Sequence, residues 1–401
     1  MYSYKNFMLL FLLCIIIFPH SIHSQRIVGS NVNGHIYDAQ TKQPITNVNV
    51  YIAYSQIGTT TNNEGYYRLL VIRPGTYKLI FSHVGYETII KDLRIESPDE
   101  FKISIQLNPK LIKLPEVNVN AHAAEEWRKN LELFTRQLIG VTKNSKLTMI
   151  KNPNSLSFNR NNKNILYAES EVPLEIENNA LGYNIKYFLE YFESDSRYVK
   201  YSGIPVFEEM QPSSTEQALE WKRERERAYK GSLRDFLNTL AGNYFITKGD
   251  TASPKFLAYP EDTTSMGTKV TYAQKNYLAV EGFNVIHTNL FKSKRNEIHY
   301  SSLVNTNLLL SEGSIHTEMK ISYKDFLQVE YLNEKVEDEY LDEAYFNKPT
   351  KAQTSWIELK SDTVTFDIYG RYYDKFMIKT YGYMGFERLA DTLPIDYFIE
   401  E

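Results

Sequence analysis

Residues 30–108 alternate apolar and polar side chains with a period of two, and this pattern constrains the fold more than any other feature of the chain. Successive side chains of a β-strand point to opposite faces, so the alternation is typical of strands with one buried face. Turn sequences separate the strands, and in Asn62-Asn63-Glu64-Gly65 the glycine can take a positive φ and close a hairpin. About seven short strands spaced in this way predict a two-sheet antiparallel β-sandwich, which we expect to fold on its own.

Residues within this stretch also resemble a known family. Those at 32–38, 43–45 and 48–52 are similar to the opening of a carboxypeptidase regulatory-like domain; the later matches are residues 63–67, 74–79 and 82–87. The resemblance implies a prealbumin-like, seven-stranded antiparallel sandwich, a type of domain that also precedes the plug of many TonB-dependent receptors. The family's own sandwich is not catalytic, so the resemblance implies a fold and a compartment and no reaction.

The N-terminus predicts export. Lys5 precedes an apolar run at residues 7–18, which is too short to span a bilayer comfortably, and Pro19 ends the run. Ser24 supplies a small residue, so we predict a signal peptide at residues 1–24 that is cleaved after Ser24; the alternative is an N-terminal membrane anchor. Cys14 lies inside the run and follows Leu13, which is not the pattern of a lipoprotein signal.

Cleavage removes Lys5 and the only cysteine, which leaves 44 basic and 49 acidic residues and a net charge of −5. This charge gives no reason to bind nucleic acid, and a chain without cysteine forms neither disulfides nor thiolate metal sites. No later apolar run reaches membrane length, so the mature chain has no predicted transmembrane helix. We expect a periplasmic, outer-membrane or cell-surface location, with peripheral membrane association and an envelope protein or a glycan as partner.

The sequence after the sandwich predicts a linker and a second domain. Pro109 and Pro115 flank a short linker, and Val117 and Val119 after it form an edge strand, so residues 109–121 are predicted as linker and edge strand. Residues 122–401 predict a β-rich α+β domain, so the fold class of the whole chain is mainly β with helices.

Two helical stretches are predicted in this second domain. Glu125 and Glu126 fall in the first turn of the first helix, Gly140 caps its end, and four apolar residues share one face: Trp127, Leu131, Phe134 and Leu138. The second stretch runs over residues 214–241 and is broken at Gly231. Its charged centre at residues 221–227 is a solvated face with Lys222–Glu226 and Glu224–Arg227 pairs, or alternatively an anion-binding stripe.

Further blocks of this region resemble exported bacterial proteins that contain a carboxypeptidase-like regulatory domain. The blocks are residues 173–178, 181–183, 229–237, 281–283 and 393–397. This resemblance implies no activity.

Tyrosine is unusually abundant, with 31 residues against 3 tryptophans. Tyrosine favours half-buried strands and places a polar tip on an apolar ring. A β-rich protein explains this composition, and a surface that stacks on sugars or peptides is the alternative. Because the tyrosines are spread along the whole chain, the first interpretation is favoured.

The sequence contains no recognisable catalytic motif. His122 and Glu125 form an H-x-x-E pair like that of metallocarboxypeptidases, but zinc needs a third protein ligand. The later histidines lie too far along the chain and lack matching context: His287, His299 and His316. No nucleophile elbow, P-loop or dinucleotide fingerprint occurs. We therefore assign no catalytic, cofactor-binding or metal-binding residue and predict no bound zinc; the ligand-binding residues are not identified.

These observations predict a non-enzymatic exported envelope protein, a binding or structural accessory module that acts through its sandwich and C-terminal domain. The alternative is a glycan- or peptide-directed hydrolase whose carboxylate site lies in residues 122–401. A pocket with convergent carboxylates or histidines in that region would favour the hydrolase.

Overall fold

The computed structural model describes residues 29–71, 73–110, 121–195, 198–247, 281–289, 301–343, 352–374 and 376–399. The predicted signal peptide and the predicted edge strand at Val117 and Val119 lie outside these residues. The predicted fold class, mainly β with helices, is confirmed. The described chain forms an N-terminal sandwich, a middle module and a C-terminal module.

The N-terminal sandwich comprises residues 29–110, and its strands alternate buried and exposed side chains as the period-two pattern predicts. Its strands are β1 (Ser30–Asp38), β2 (Asn49–Ile52), β3 (Gly58–Thr60), β4 (Tyr66–Val71), β5 (Gly75–Ser82), β6 (Ile89–Ile95), β7 (Glu100–Lys102) and β8 (Ile105–Leu107). One sheet has the order β4-β1-β7, with β8 also paired to β1, and the other has the order β3-β2-β5-β6. One apolar core lies between them.

The last edge of the sandwich differs from the predicted all-antiparallel arrangement of seven strands. Both β7 and β8 pair with β1 in parallel, and Ile103 N between them donates to Asn33 O at 2.7 Å. The two are therefore pieces of one edge, and merging them gives seven strands. The chain reaches this edge by crossing over from β6 in the other sheet, so no hairpin sets its direction.

Gly65 takes the positive φ that the sequence predicts, at +70°. A Cβ at this position would lie 2.6 Å from Ile36 O, which explains the glycine. The turn does not close a hairpin within one sheet, however, because β3 and β4 belong to different sheets. It is a corner between the two layers.

The middle module combines one helix with a six-stranded sheet. Its elements are α1 (Ala121–Leu138), β9 (Thr148–Ile150), β10 (Leu156–Arg160), β11 (Leu166–Ser170), β12 (Leu174–Asn178), β13 (Tyr183–Ser194) and β14 (Val199–Glu209). The sheet order is β10-β11-β13-β12-β9, and β14 pairs with β13 along nearly its whole length.

The predicted apolar face of α1 is confirmed, because Phe134 and Leu138 are fully buried in the core of the middle module. Gly140 follows the helix with a φ of +104°, as expected of a C-terminal cap. The placement of Glu125 and Glu126 in the first turn is wrong. The helix begins at Ala121, so the first turn contains no acidic residue and both glutamates fall in the second.

The second helical stretch consists of α2 (Thr215–Tyr229) and α3 (Leu233–Thr247), separated at Gly231 as predicted. The expected Glu224–Arg227 pair forms, with 2.8 Å between Oε2 and Nε. At the start of α3, Asp235 N donates to Ser232 Oγ at 3.2 Å, and the Asp235 carboxylate accepts from Gly231 N at 3.0 Å. This reciprocal arrangement satisfies backbone donors of the new helix.

The C-terminal module packs α3 between strands of two further sheets. Its remaining elements are β15 (Phe283–Thr288), β16 (Ser301–Leu303), β17 (Leu310–Glu312), β18 (Glu318–Ile321), β19 (Phe326–Lys335), α4 (Asp338–Glu343), β20 (Ala352–Leu359), β21 (Val364–Asp367), β22 (Ile378–Gly382) and α5 (Tyr383–Phe386). The sheets have the orders β16-β15-β19-β20-β22 and β17-β18-β21.

Separate apolar cores stabilise the three modules, so residues 121–399 contain two packing units. The middle core also includes Leu389, Ala390 and Leu393 from near the end of the chain. A small fourth cluster, with Ala53 and Ile80 against Ile204 and Val206, joins the sandwich to β14. No described helix is long and apolar enough to cross a membrane.

Candidate functional site

The H-x-x-E pair lies at the start of α1, and within the described ranges it is not part of a group of three metal-ligating side chains. His122 lies in the first turn and Glu125 in the second, and both residues are exposed. The Glu125 carboxylate pairs with two cations of its own helix, Arg128 at 3.3 Å and Lys129 at 3.7 Å. Among the described residues, no group of three or more histidine, cysteine, aspartate or glutamate side chains could hold a metal ion.

A cavity of about 1580 Å³ lies where the three modules meet, and we call it the junction cavity. All three modules contribute to its wall. Ten of the 31 tyrosines of the chain line it: Tyr54, Tyr77, Tyr187, Tyr198, Tyr201, Tyr229, Tyr340, Tyr372, Tyr373 and Tyr381. Tyrosines that are far apart in sequence therefore share one internal surface.

Tyr54 reaches the cavity from the loop between β2 and β3. This loop lies along the free edge of β14, where Tyr54 N donates to Pro205 O at 2.7 Å and Phe207 N donates to Ser55 O at 3.0 Å. Tyr54 has a φ of +65°, a conformation that is unusual for a bulky residue and is held here by these bonds. The strain is located at the cavity wall.

Tyr187 lies on β13, across from β14, and is only 2% exposed. Gly203 on β14 leaves room for it, because a Cβ there would lie 2.4 Å from the Tyr187 ring carbon Cζ. Burial raises the pKa of the Tyr187 phenol well above its ordinary value and that of Tyr372 to about 12. Both hydroxyls are therefore neutral at physiological pH and can donate as well as accept hydrogen bonds.

Cationic side chains lie over aromatic rings at several places in the cavity wall. Lys200 Nζ is 4.5 Å from the centroid of the Phe376 ring. Arg388 lies 5.9 Å above Tyr201, and Lys379 lies 4.8 Å above Tyr381. Such pairs are attractive because the ring face is electronegative. The cavity wall therefore contains several sites at which a positive charge lies beside an aromatic ring.

Glu387 and Asp391 bring two carboxyl groups to the same cavity. Burial, with Asp391 as the next contribution, raises the pKa of Glu387 well above its ordinary value. Burial also raises the pKa of Asp391 to about 6, and the negative charge of Glu337 adds to the effect. The Asp391 carboxylate accepts hydrogen bonds from Thr142 Oγ1 at 2.9 Å and Asn144 Nδ2 at 3.0 Å. Asp391 therefore joins two modules, whereas the raised pKa of Glu387 favours the protonated form of that side chain at the wall.

Two of the sequence blocks that resemble exported bacterial proteins meet beside the cavity. Arg234 in the block at residues 229–237 donates to the carbonyl oxygens of the terminal block: Pro394 at 2.7 Å, Ile395 at 2.9 Å and Tyr397 at 2.9 Å. Ile395 N in turn donates to Tyr54 O at 2.7 Å. These blocks assemble the junction of the three modules.

Sequence reasoning missed this site. The spread of the tyrosines favoured a structural explanation, and Glu387 and Asp391 were two among 49 acidic residues. The one feature of the sequence that points to this site is the excess of tyrosine, if the tyrosines are interpreted as a surface that stacks on a ligand.

The fold and the site define a β-rich protein with an N-terminal sandwich and a tyrosine-lined cavity where its three modules meet. The sequence model of the CarboxypepD_reg-like domain family matches residues 32–119. The chain therefore contains a carboxypeptidase regulatory-like domain, which confirms the resemblance, and that family is regulatory and non-catalytic. The match covers the sandwich and the segment that follows it. No curated protein matches the chain significantly.

Several solved structures resemble parts of the chain. A cohesin–X-dockerin complex from Acetivibrio cellulolyticus is 23% identical over 19% of this chain and 53% of its own, with a TM-score of 0.17. The pilus 2b backbone protein of group B streptococcus is 11% identical over 20% of this chain and 41% of its own, with a TM-score of 0.17. A candidate carbohydrate binding protein from Bacteroides uniformis is 14% identical, over 45% of this chain and 99% of its own, with a TM-score of 0.18. The chain spans about half or less of the first two, and scores this low carry no argument about function.

Proposed function

We propose that this protein is a non-enzymatic, exported envelope protein that binds a glycan in the junction cavity. The observation that carries the proposal is the convergence of ten tyrosines from three modules on one cavity. The N-terminal sequence pattern supports export, and the periplasm or the outer-membrane surface is the compartment in which such a ligand would be met.

Tyrosine suits a polyhydroxylated ligand. Its ring offers a flat apolar face for the C–H surface of a sugar, and its hydroxyl can donate to and accept from sugar hydroxyls. Tyrosine also loses little conformational entropy when it is fixed, so many tyrosines together form a rigid binding surface. The cavity volume of about 1580 Å³ exceeds the roughly 300–1,000 Å³ of typical small-molecule pockets, so an oligosaccharide fits better than a single sugar.

A second candidate, a glycan hydrolase, is favoured by one observation. Glu387 and Asp391 both line the cavity, and burial raises the pKa of Glu387, as is typical of a carboxyl group that acts as a general acid. The hydrogen bonds of Asp391 to Thr142 and Asn144 argue for a structural role of that residue. The non-catalytic nature of the sandwich family is a further reason to prefer binding.

Calorimetric titration of the purified protein with oligosaccharides tests the proposal. We expect Tyr201→Ala and Tyr372→Ala each to weaken binding by about tenfold, which corresponds to about 1.4 kcal/mol for one lost aromatic contact. Tyr66→Ala is the matched control. Tyr66 lies on the outer face of the sandwich, 5.3 Å from the ring of His35, and is not part of the cavity wall.

Each variant must unfold at a urea concentration close to that of the native protein for its binding to be compared. Equal loss of binding in the Tyr66 variant would argue against the cavity as the site. Hydrolysis of the bound oligosaccharide that disappears in Glu387→Gln would instead establish the second candidate. If no oligosaccharide binds, the proposed function is wrong.

A further inference from the structure

We infer that the junction cavity is selective for an acidic glycan, a polysaccharide whose sugars carry carboxylate or sulfate groups. This inference rests on the proposed function and adds the chemical class of the ligand. It starts from a contrast in charge. The whole chain carries a net charge of −4, whereas eight basic and four acidic side chains line the cavity.

The four acidic side chains oppose an anionic ligand less than their number suggests. Asp92 pairs with Lys78 at 3.0 Å. The Glu318 carboxylate accepts from Thr76 Oγ1 at 3.2 Å and from Ser314 N at 3.3 Å. Burial favours the neutral form of the Glu387 carboxyl group, and raises the pKa of Asp391 to about 6.

Two of the basic side chains serve the fold and not a ligand. Arg234 donates to backbone carbonyls of the terminal segment, and Arg371 forms an ion pair with the buried carboxylate of Asp367. Lys360 is likewise paired, with Glu358 at 2.8 Å. These three cations are therefore set aside.

Lys200 and Arg388 are the cations best placed for a ligand. Lys200 is exposed and lies over the rings of Phe376 at 4.5 Å and Tyr191 at 5.5 Å. Arg388 lies over Tyr201, the residue next to Lys200 on β14. No ion pair among the described residues includes either cation. Glu193 lies opposite Lys200 on β13, and its carboxylate accepts hydrogen bonds from the Tyr191 and Tyr198 hydroxyls. These hydrogen bonds lower the pKa of Glu193, and the charge of Lys200 adds to the effect.

The repeated pairing of a cation with an aromatic ring matches the repeat of an acidic polysaccharide. A sugar ring that stacks on an aromatic face places its substituents beside the ring, where the cation lies. A carboxylate or sulfate in that position gains a charge-assisted hydrogen bond, which is about twice as strong as one between neutral groups. A neutral sugar would leave these cations without that gain.

Calorimetric titration with three polymers tests the inference: polygalacturonate, dextran sulfate and unmodified dextran. We expect the two anionic polymers to bind at least about tenfold more tightly than dextran, the factor expected for one gained charge-assisted contact. The comparison between polygalacturonate and dextran sulfate shows whether carboxylate or sulfate is preferred. Binding of the preferred polymer should weaken as salt concentration rises.

The variants Lys200→Met and Arg388→Met remove the charges and keep an apolar stem. We expect each to weaken binding of the anionic polymer by about tenfold and to leave any binding of dextran unchanged. Lys163→Met is the control, because Lys163 is an exposed lysine that is not part of the cavity wall. Since Lys200 is exposed, its replacement should not unfold the protein, and urea unfolding of every variant checks this.

The outcomes separate the two proposals. If dextran binds as tightly as the anionic polymers and only the tyrosine variants weaken it, the acidic-glycan inference is wrong and the proposed function stands. If Lys163→Met weakens anionic binding as much as Lys200→Met, the attraction is not specific to the cavity and the inference is wrong. If none of the polymers binds, both proposals are wrong.

Discussion

The N-terminal sandwich and the middle module differ in which parts of the chain form their apolar cores. Among the described residues, every buried member of the sandwich core lies between Val32 and Leu107, and Ile395 is the single partly buried contributor from elsewhere. The middle core needs Leu389, Ala390 and Leu393, which follow the entire C-terminal module in sequence. The first region is complete in one continuous segment, whereas the second depends on the end of the chain.

The polar contacts repeat this difference. Buried Asn178 of the middle module donates to Ala390 O at 2.9 Å, and Ala390 N donates to Ile139 O at 3.1 Å. In the sandwich, buried Thr61 donates to Ile45 O at 2.7 Å within the same segment. A buried polar group that loses its partner is costly, so the middle module is tied to its distant segment by more than apolar contact.

The strongest test of this difference is to separate the regions. We expect a fragment of residues 29–110 to give a β-type circular dichroism spectrum and to unfold cooperatively in urea. We expect residues 121–247 to fail to fold, because that fragment lacks three core residues and the partners of Asn178 and Asn144. Cooperative unfolding of the second fragment, or a disordered first fragment, would contradict the comparison.

The next test is the variant Arg234→Ala in the intact chain, which removes the hydrogen bonds from Arg234 to the terminal segment. Three carbonyl oxygens lose their donor, so we expect the free energy of unfolding to fall by about 3 kcal/mol, at roughly 1 kcal/mol or more for each unsatisfied acceptor. Arg68→Ala is the control on the sandwich, where an exposed guanidinium donates to Asn31 Oδ1 at 2.9 Å. There we expect a change within about 0.5 kcal/mol. Equal changes in the free energy of urea unfolding for the two variants would show that the Arg234 contacts stabilise the protein no more than an exposed hydrogen bond does.

Two glycines offer a matched pair between the regions. Gly85 in the sandwich has a φ of +87°, and no neighbouring atom lies within 4 Å of where a Cβ would be. Gly182 has a φ of +69°, and a Cβ there would lie 2.3 Å from Trp221. Gly85→Ala should cost about 1 kcal/mol of backbone strain, and Gly182→Ala about 2–3 kcal/mol because steric overlap is added. Thermal unfolding measures both. Similar costs would mean that Trp221 moves aside freely.

The smallest expected effect is a difference in pH dependence. Hydrogen bonds from the Thr41 backbone and Tyr86 lower the pKa of Asp38 in the sandwich, so its contribution to stability is present above the ordinary pKa of 3.8 and is lost as pH falls. Burial raises the pKa of Asp391 to about 6, so its contribution is present below pH 3.8 and is lost as pH rises towards 6.

We therefore expect the 29–110 fragment to lose stability on acidification. In the intact chain, Asp391→Asn should flatten the decline in stability between about pH 4 and pH 6. Urea midpoints measured across this range check both statements. An unchanged profile in the Asp391→Asn variant would show that this carboxyl group does not couple folding to pH.

The sandwich and α1 could largely be predicted from the sequence, because their patterns are local. The period of two in residues 30–108 and the apolar face that contains Phe134 and Leu138 both arise from backbone geometry over a few residues. The errors also have local causes. The helix begins at Ala121, so Glu125 falls one turn later in it than the sequence pattern predicts. Gly65 forms a corner between sheets, which uses the same turn chemistry as the predicted hairpin.

By itself, the sequence determined that the chain begins its described part with a carboxypeptidase regulatory-like sandwich and continues as a β-rich region with helices. The junction cavity was decided only by the tertiary structure. Tyr54, Tyr201 and Tyr372 lie in three modules, and the periodicity of the sequence does not indicate that they line the same cavity. The physical reason is that alternation reflects the burial of each strand within its own sheet, whereas the cavity depends on how separate cores pack through contacts such as Arg234 with the terminal segment.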